Sequence, residues 1–357
     1  MISEMRTSQR VGLGCALVLA LAVGCGGGGS AASGTGGTGG TGATATVDGP
    51  PAGWPAVLMV GPGQGPALYA AGDDNAPPFG YLSEGVRVRV NGAPQNGRLP
   101  VTVGGQMVVH GFVPLSRLVA YVNQRGRIDG TPAYLGANDP VGLVSQSSDG
   151  SFRVEIRPRL GREGVADLGP FVGSVPGDWL VDHPEADGDT GLSPGEFRRV
   201  PAGTEVPVYD RPGGAVIARL PALDPPITVV VIRTRDGWNG VRVGVGPFLV
   251  GYIQGDLEAS SADQLGTRPV PEATTVAEGA MPERIAVEEG ALFHVESGTW
   301  IRFYGEQVAR LRAVGWAREM SRTSGSADVD VYVAVDDGVA VRGVVPQSAL
   351  TRVTEGE

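Results

Sequence analysis

The sequence predicts an all-β protein made of tandem small barrels behind a disordered N-terminal tether. Three observations predict it. A short phrase returns four times: Gly111-Phe112-Val113-Pro114, Gly173-Ser174-Val175-Pro176, Gly251-Tyr252-Ile253-Gln254 and Gly343-Val344-Val345-Pro346, followed by Leu118, Leu180, Leu257 and Leu350. Self-similarity of this kind marks one small unit used repeatedly. Short apolar runs are broken by 58 Gly and 28 Pro in 357 residues, the punctuation of strands and turns. Apolar and polar residues alternate in Val86-Arg87-Val88-Arg89-Val90, in Phe152 to Ile156 and in Val329 to Val335, the period of a half-buried strand.

Taken from the N-terminus, residues 1–24 read as an export signal. Arg6 and Arg10 give a charged start, and Val11 to Val23 is an apolar run too short to span a bilayer, which takes about 20 residues. The run ends Leu21-Ala22-Val23-Gly24-Cys25, which resembles the bacterial lipobox. That resemblance implies lipidation of Cys25 and a chain exported to the cell envelope. Gly26 lacks the Asp that commonly retains such proteins at an inner membrane, so the outer membrane is the expected leaflet. Residues 25–50 are almost entirely Gly, Ser, Thr and Ala, a flexible tether that cannot bury a core. The two cysteines are Cys15 and Cys25, so the exported body has no thiol for a disulfide or a metal.

Four repeats follow, at 51–122, 123–182, 204–258 and 290–357, the last divergent. An acidic connecting loop spans 183–203 and a Ser-, Thr- and Pro-containing linker spans 259–289, which leaves the fourth repeat free to move separately. The first two repeats are expected to pack together. The third repeat is clearest. Val206 to Tyr209 is an apolar start, Val216 to Leu220 a short strand, and Ile227 to Ile232 a β-branched run. A turn at Asp236-Gly237 leads into Trp238, and Phe248 to Ile253 closes the unit, giving five short strands. The closing Gly has a steric reading: a backbone without Cβ can approach a neighbour closely. The residues between it and the following Leu fit one helical turn, with that Leu plugging a barrel end.

Tyr209 with Pro212, the Gly237-Trp238 pair before Val241-Arg242-Val243, and Gly251-Tyr252-Ile253 resemble the bacterial SH3-like (SH3b) domain. The resemblance implies a small barrel on the outside of a bacterial cell that binds cell-wall peptide or protein partners. It places Tyr209, Trp238 and Tyr252 near a peptide groove. Flat aromatic surfaces of this kind hold extended or sugar-bearing chains. The other aromatic positions, Trp54, Trp179, Trp300 and Trp316, are read as core.

Residues 185–196 are similar to an EF-hand calcium loop. Glu185, Asp187 and Asp189 stand at alternate positions and Glu196 at the last. The alternative is a solvated acidic spacer, and the flanking Pro184 and Pro194 argue against the usual helices. No other cofactor is expected. The three histidines, His110, His183 and His294, are far apart in sequence, and no nucleophile elbow or phosphate loop stands in a suitable setting, so no catalytic residue is assigned. A net charge of −10 without basic runs speaks against nucleic acid.

The expected function is therefore a membrane-anchored envelope lipoprotein that binds cell-wall peptide or glycan, or envelope proteins, without catalysis. The alternatives are an assembly scaffold that contacts proteins alone and a calcium-stabilised adhesion module.

Overall fold

The computed structural model describes residues 49–61, 65–160, 166–183, 195–265, 285, 289–303, 307–336 and 338–354. The signal segment and Cys25 lie outside the described residues. Within them the chain is all-β, and every strand pairing is antiparallel.

Each of the four repeats has seven strands with one pairing scheme, and the second carries in addition the short pair Arg159–Leu160 and Ala166–Asp167. In the third repeat the strands are Glu196–Arg199, Val206–Tyr209, Val216–Leu220, Thr228–Arg235, Trp238–Val243, Phe248–Gln254 and Glu258–Ala259. The first pairs with the fourth and the seventh, the second with the third and the sixth, and the fourth, fifth and sixth form a meander. The first repeat repeats this from Val57–Val60 to Leu118–Val122. The fourth repeats it from Leu292–Val295 to Leu350–Arg352. The second repeat takes Leu118–Val122 as its own first strand, so the first two repeats share a strand. Its second-to-sixth contact is the single bridge Asp129–Ser174.

Two expectations are corrected here. Five strands per unit become seven. The sheet order within a repeat is third, second, sixth, fifth, fourth, first, seventh, and no pairing among the described residues joins the two ends. None of the sheets closes into a barrel. In the third repeat the two strands that sequence reading missed are the first, Glu196–Arg199, and the seventh, Glu258–Ala259. Glu196–Arg199 falls in the stretch read as an acidic loop, because Arg and Glu stand on its faces where a buried strand would carry Val or Ile.

The closing phrase has the same cause in all four repeats. A Cβ on Gly111 would meet Leu68 Cδ1 at 2.7 Å, on Gly173 Ile128 Cγ2 at 2.5 Å, on Gly251 Val208 Cγ1 at 2.5 Å, and on Gly343 Ile301 Cγ2 at 2.6 Å. Each of those four partners is wholly buried. The sixth strand thus lies directly on an apolar residue of the second, an approach that only Gly permits. One 3-10 turn then leads to the Leu in three repeats, at Leu115–Arg117, Gly177–Trp179 and Gln347–Ala349.

The repeats are joined by strand ladders. The third strand of the first repeat, Pro78–Leu82, pairs with the sixth strand of the fourth, with Tyr81 opposite Ala340 and Gly80 opposite Val341. The third strand of the second repeat, Ala133–Leu135, pairs with the sixth strand of the third, with Tyr134 opposite Phe248 and Ala133 opposite Leu249. Counted from the closing glycines, the two registers are identical. The fourth repeat is therefore tied to the first by backbone hydrogen bonds, in place of the separate motion that its linker suggested. One hydrophobic cluster runs through all four repeats, from Trp54 to Val345. No helix among the described residues is long and apolar enough to cross a membrane.

Candidate functional site

The third repeat carries an open groove of about 330 Å³ lined by Pro212, Arg233, Arg235, Asp236, Trp238 and Tyr252. A tight hairpin turn builds its rim. Asp236 and Gly237 both have positive φ, 51° and 75°, the geometry that a two-residue turn of this hand requires. The turn sets Arg235 opposite Trp238 at the start of the fifth strand. Asn239 fixes it from below, accepting a hydrogen bond from Thr234 Oγ1 at 2.9 Å and donating to the Gly255 carbonyl at 2.7 Å.

The three aromatic residues singled out in the sequence come together here. Tyr209 stands opposite Tyr252 across the second and sixth strands. Its ring meets Trp238 edge to face, with centroids 5.2 Å apart and planes at 88°. Trp238 and Tyr252 line the groove, while Tyr209 supports Trp238 from the side. All three are half-buried. The Arg233 guanidinium lies 5.0 Å above the Tyr252 ring, a cation–π contact. Arg235 donates to the Asp236 carboxylate at 3.1 Å, whereas Arg233 makes no ion pair among the described residues. The groove can therefore hold a flat or extended group on two aromatic faces and offer one guanidinium to an acceptor.

The same two positions are filled differently in the other repeats. In the first, Tyr69 and Arg98 occupy the places of Tyr209 and Trp238, and the guanidinium sits 3.7 Å over the ring. Arg98 also donates to the carbonyls of Ala71 and Asp73, which closes the groove with its own side chain. In the fourth, Arg302 and Asp328 form an ion pair at 3.0 Å. In the second, the positions hold Asp129 and Ser151. The third repeat alone among the four presents two aromatic residues there.

The proposed calcium ligands are not brought together in the described residues. Glu185, Asp187 and Asp189 lie outside them. Glu196 begins a strand opposite Val231, is exposed, and accepts from Arg198. No group of three His, Cys, Asp or Glu side chains placed to hold a metal stands among the described residues. The histidines are separate. His110 Nδ1 is 2.8 Å from Thr102 Oγ1, His183 pairs with Asp182, and His294 lies against Trp316 at 4.2 Å between centroids. Burial holds His110 below the usual histidine range.

Of the tryptophans read as core, Trp54 is buried, edge-on to Phe152 and donating to Gln146 Oε1 at 2.6 Å. Trp179 presses on Gly126, whose Cβ would fall 2.2 Å from its ring. Trp300 departs from that reading and is 61% exposed. The sequence signal for this was Arg302, two residues on and on the same side, with Ile301 and Phe303 facing inward. Compared with family models, with curated proteins and with solved structures, the chain has no match.

Proposed function

We propose that the chain is a lipid-anchored protein of a bacterial cell envelope whose third repeat holds an extended wall peptide or a segment of an envelope protein, without catalysis. The four repeats are read as SH3-like modules. The common pairing order of the four and, in the first, second and fourth, the 3-10 turn before the last strand support that reading. Lipidation of Cys25, with the Gly-rich segment after it as a tether, rests on the sequence. The observation that carries the binding reading is the half-exposed Trp238–Tyr252 surface, open to solvent beside an Arg233 guanidinium that has no carboxylate partner among the described residues. The equivalent places in the first and fourth repeats are already occupied by their own side chains. Binding through this groove is thus expected to be one-to-one, with the remaining repeats serving to hold and orient the third.

The test is cosedimentation of the purified chain with insoluble peptidoglycan. Retention that falls at least tenfold in Trp238→Ala supports the reading. Retention unchanged by that substitution, or none by the native chain, counts against it. Fractionation of cells expressing Cys25→Ala tests the anchor: the variant is expected to leave the membrane fraction.

A further inference from the structure

A second surface, on the first and fourth repeats, has the chemistry of a binding site that nothing above uses. On the outward side of the first repeat, Val57, Arg89, Thr102 and His110 form a row across four adjacent strands. Arg87 stands beside Arg89 on the same side, since Val88 and Val90 are the buried positions of that strand. At the end of the row the Gln307 amide clamps the fourth repeat to the first. Its Oε1 accepts the His110 N–H at 2.7 Å and its Nε2 donates to the His110 carbonyl at 2.8 Å. Beyond the clamp the surface continues on a hairpin of the fourth repeat, where Trp300 stands opposite Arg310 and Arg302 opposite Val308. Two hollows of about 430 and 640 Å³ run along this line, and Val108 lines both.

Its charge is unusual for this chain. Acidic residues outnumber basic ones 38 to 28 overall, and elsewhere exposed arginines such as Arg157, Arg199 and Arg219 each sit on a carboxylate. Arg87, Arg89, Arg310 and Arg312 line the two hollows, and none has an ion pair among the described residues. Among the described residues that line the hollows the one carboxylate is Asp182, which is hydrogen-bonded to His183. Beside these cations Trp300, Val308 and Val108 are exposed at 61%, 51% and 38%. Leaving that much apolar surface in water forgoes a stabilisation of about 25 cal/mol per Å², and such patches mark places where something binds.

We infer that this face binds an acidic glycan, whose sugar rings lie on the Trp300 indole and whose carboxylates meet the guanidinium groups of Arg310, Arg312, Arg87 and Arg89. Charge complementarity selects an anion. Arg presents a planar fork that matches a carboxylate. Over the first repeat the floor favours a sugar over an acidic peptide: its fourth, fifth and sixth strands already pair with one another, so an extended peptide would find no ladder to join there. The strand Val308–Arg310 is paired on one side alone among the described residues, and the poly-glutamate arm of the experiment below tests whether a peptide uses that edge. A flat indole in the hollow that Ser297 also lines suits rings that carry both C–H faces and hydroxyls.

The experiment is affinity electrophoresis of the full chain through gels containing polygalacturonate, dextran or poly-glutamate. The expected result is retardation by polygalacturonate that weakens with salt, none by dextran, and much less by poly-glutamate. Trp300→Ala and the double variant Arg310→Ala/Arg312→Ala should each weaken retardation at least tenfold. Their melting temperatures should stay near the native value because all three side chains are exposed. Trp238→Ala should leave it unchanged, which separates this site from the groove of the third repeat. Equal retardation by poly-glutamate, no retardation by polygalacturonate, or retardation indifferent to Trp300→Ala would overturn the inference.

Discussion

Tyr209 and Trp238 meet edge to face at 5.2 Å, and the register of the sheets shows the same two places occupied by Tyr69 with Arg98 and by Arg302 with Asp328. One contact between the second and fifth strands has thus been solved three ways: ring on ring, cation on ring, cation on anion. Each version holds the hairpin between the fourth and fifth strands, or the turn that replaces it, against the second strand. Only the first leaves an aromatic face for a ligand. The backbone scheme is therefore preserved while the chemistry presented at its rim changes.

That relationship predicts a substitution that removes binding and keeps the fold. Trp238→Arg places in the third repeat the residue that the first repeat carries. A guanidinium over the Tyr209 ring is worth about 0.5–1 kcal/mol at an exposed site, so stability should fall by less than in Trp238→Ala, which loses the edge-to-face contact, about 0.5–1.5 kcal/mol, together with its burial. Both variants should lose peptidoglycan retention. Urea denaturation alongside cosedimentation checks both halves of the expectation.

The closing glycines predict a larger cost. Gly251→Ala puts a methyl group 2.5 Å from Val208 Cγ1 and 2.8 Å from the Tyr209 carbonyl oxygen. Overpacking of this kind costs about 1–3 kcal/mol. Val208→Ala removes one of the two clashes and leaves the backbone one, so the double variant should recover only part of the loss beyond what Val208→Ala alone costs. A double-mutant cycle in urea measures the coupling. Simple additivity would show that the strands part without cost.

These glycines were legible in the sequence because a residue kept for want of a Cβ leaves the same letter in every copy. The alternating strands and the Asp236-Gly237 turn were legible for a similar reason, since burial and positive φ each restrict the residue types allowed. What joins the repeats was not. The Tyr81–Ala340 and Tyr134–Phe248 registers are made by backbone groups, and any strand edge can offer those. The strand Glu196–Arg199 was hidden for the complementary reason: it carries charged residues and borders an acidic stretch. Trp300 could be assigned outward from Arg302, which shares its side of the strand opposite Ile301 and Phe303; reading a large aromatic residue as core by default passed over that pattern.

The ladder between the first and fourth repeats predicts a specific weakening. A Cβ on Gly80 would fall 2.9 Å from both the Ala340 carbonyl oxygen and Val341 Cγ1. Gly80→Val should therefore open the pairing of Pro78–Leu82 with Val339–Val341. Amide exchange should quicken at both segments, with the equivalent joint at Ala133 and Leu249 remaining protected. Unchanged exchange at Val341 would show that the ladder contributes little to the joint.

His110 predicts a pH dependence at the same boundary. Burial disfavours its charged form, so its folded pKa lies below the unfolded value of about 6.5. The unfolded chain then binds the proton more readily than the folded one. Stability from this source is present above about pH 6.5 and is lost as the pH falls through the unfolded value towards the folded one. The group that meets the ring is the Thr102 hydroxyl, 2.8 Å from Nδ1. The melting temperature should drop between pH 7.5 and 5.5, and the drop should be smaller in His110→Asn. An equal drop in that variant would assign the dependence to other groups.

Arg242 predicts a stabilising substitution. It is 4% exposed on the fifth strand of the third repeat. Its Nε has no hydrogen-bond partner among the described residues, and the guanidinium lies 5.4 Å over Phe248, which is stacked on Tyr134 across the joint. Burial pushes its pKa down. The register gives the reason for regarding this charge as dispensable: the equivalent position in the joint between the fourth and first repeats holds Tyr332, packed against Tyr81 at 6.2 Å. One joint thus uses an aromatic pair where the other buries a cation without a carboxylate partner among the described residues. A buried charge still costs roughly several kcal/mol after relaxation, and replacing even paired buried charges by apolar side chains of similar volume often gains about 1–4 kcal/mol. Arg242→Met keeps the length of the stem against Phe248 and removes the desolvated group. It should raise the midpoint of urea unfolding without changing the slope. A fall in the midpoint would mean that the cation–π contact with Phe248 outweighs the cost of burying the guanidinium.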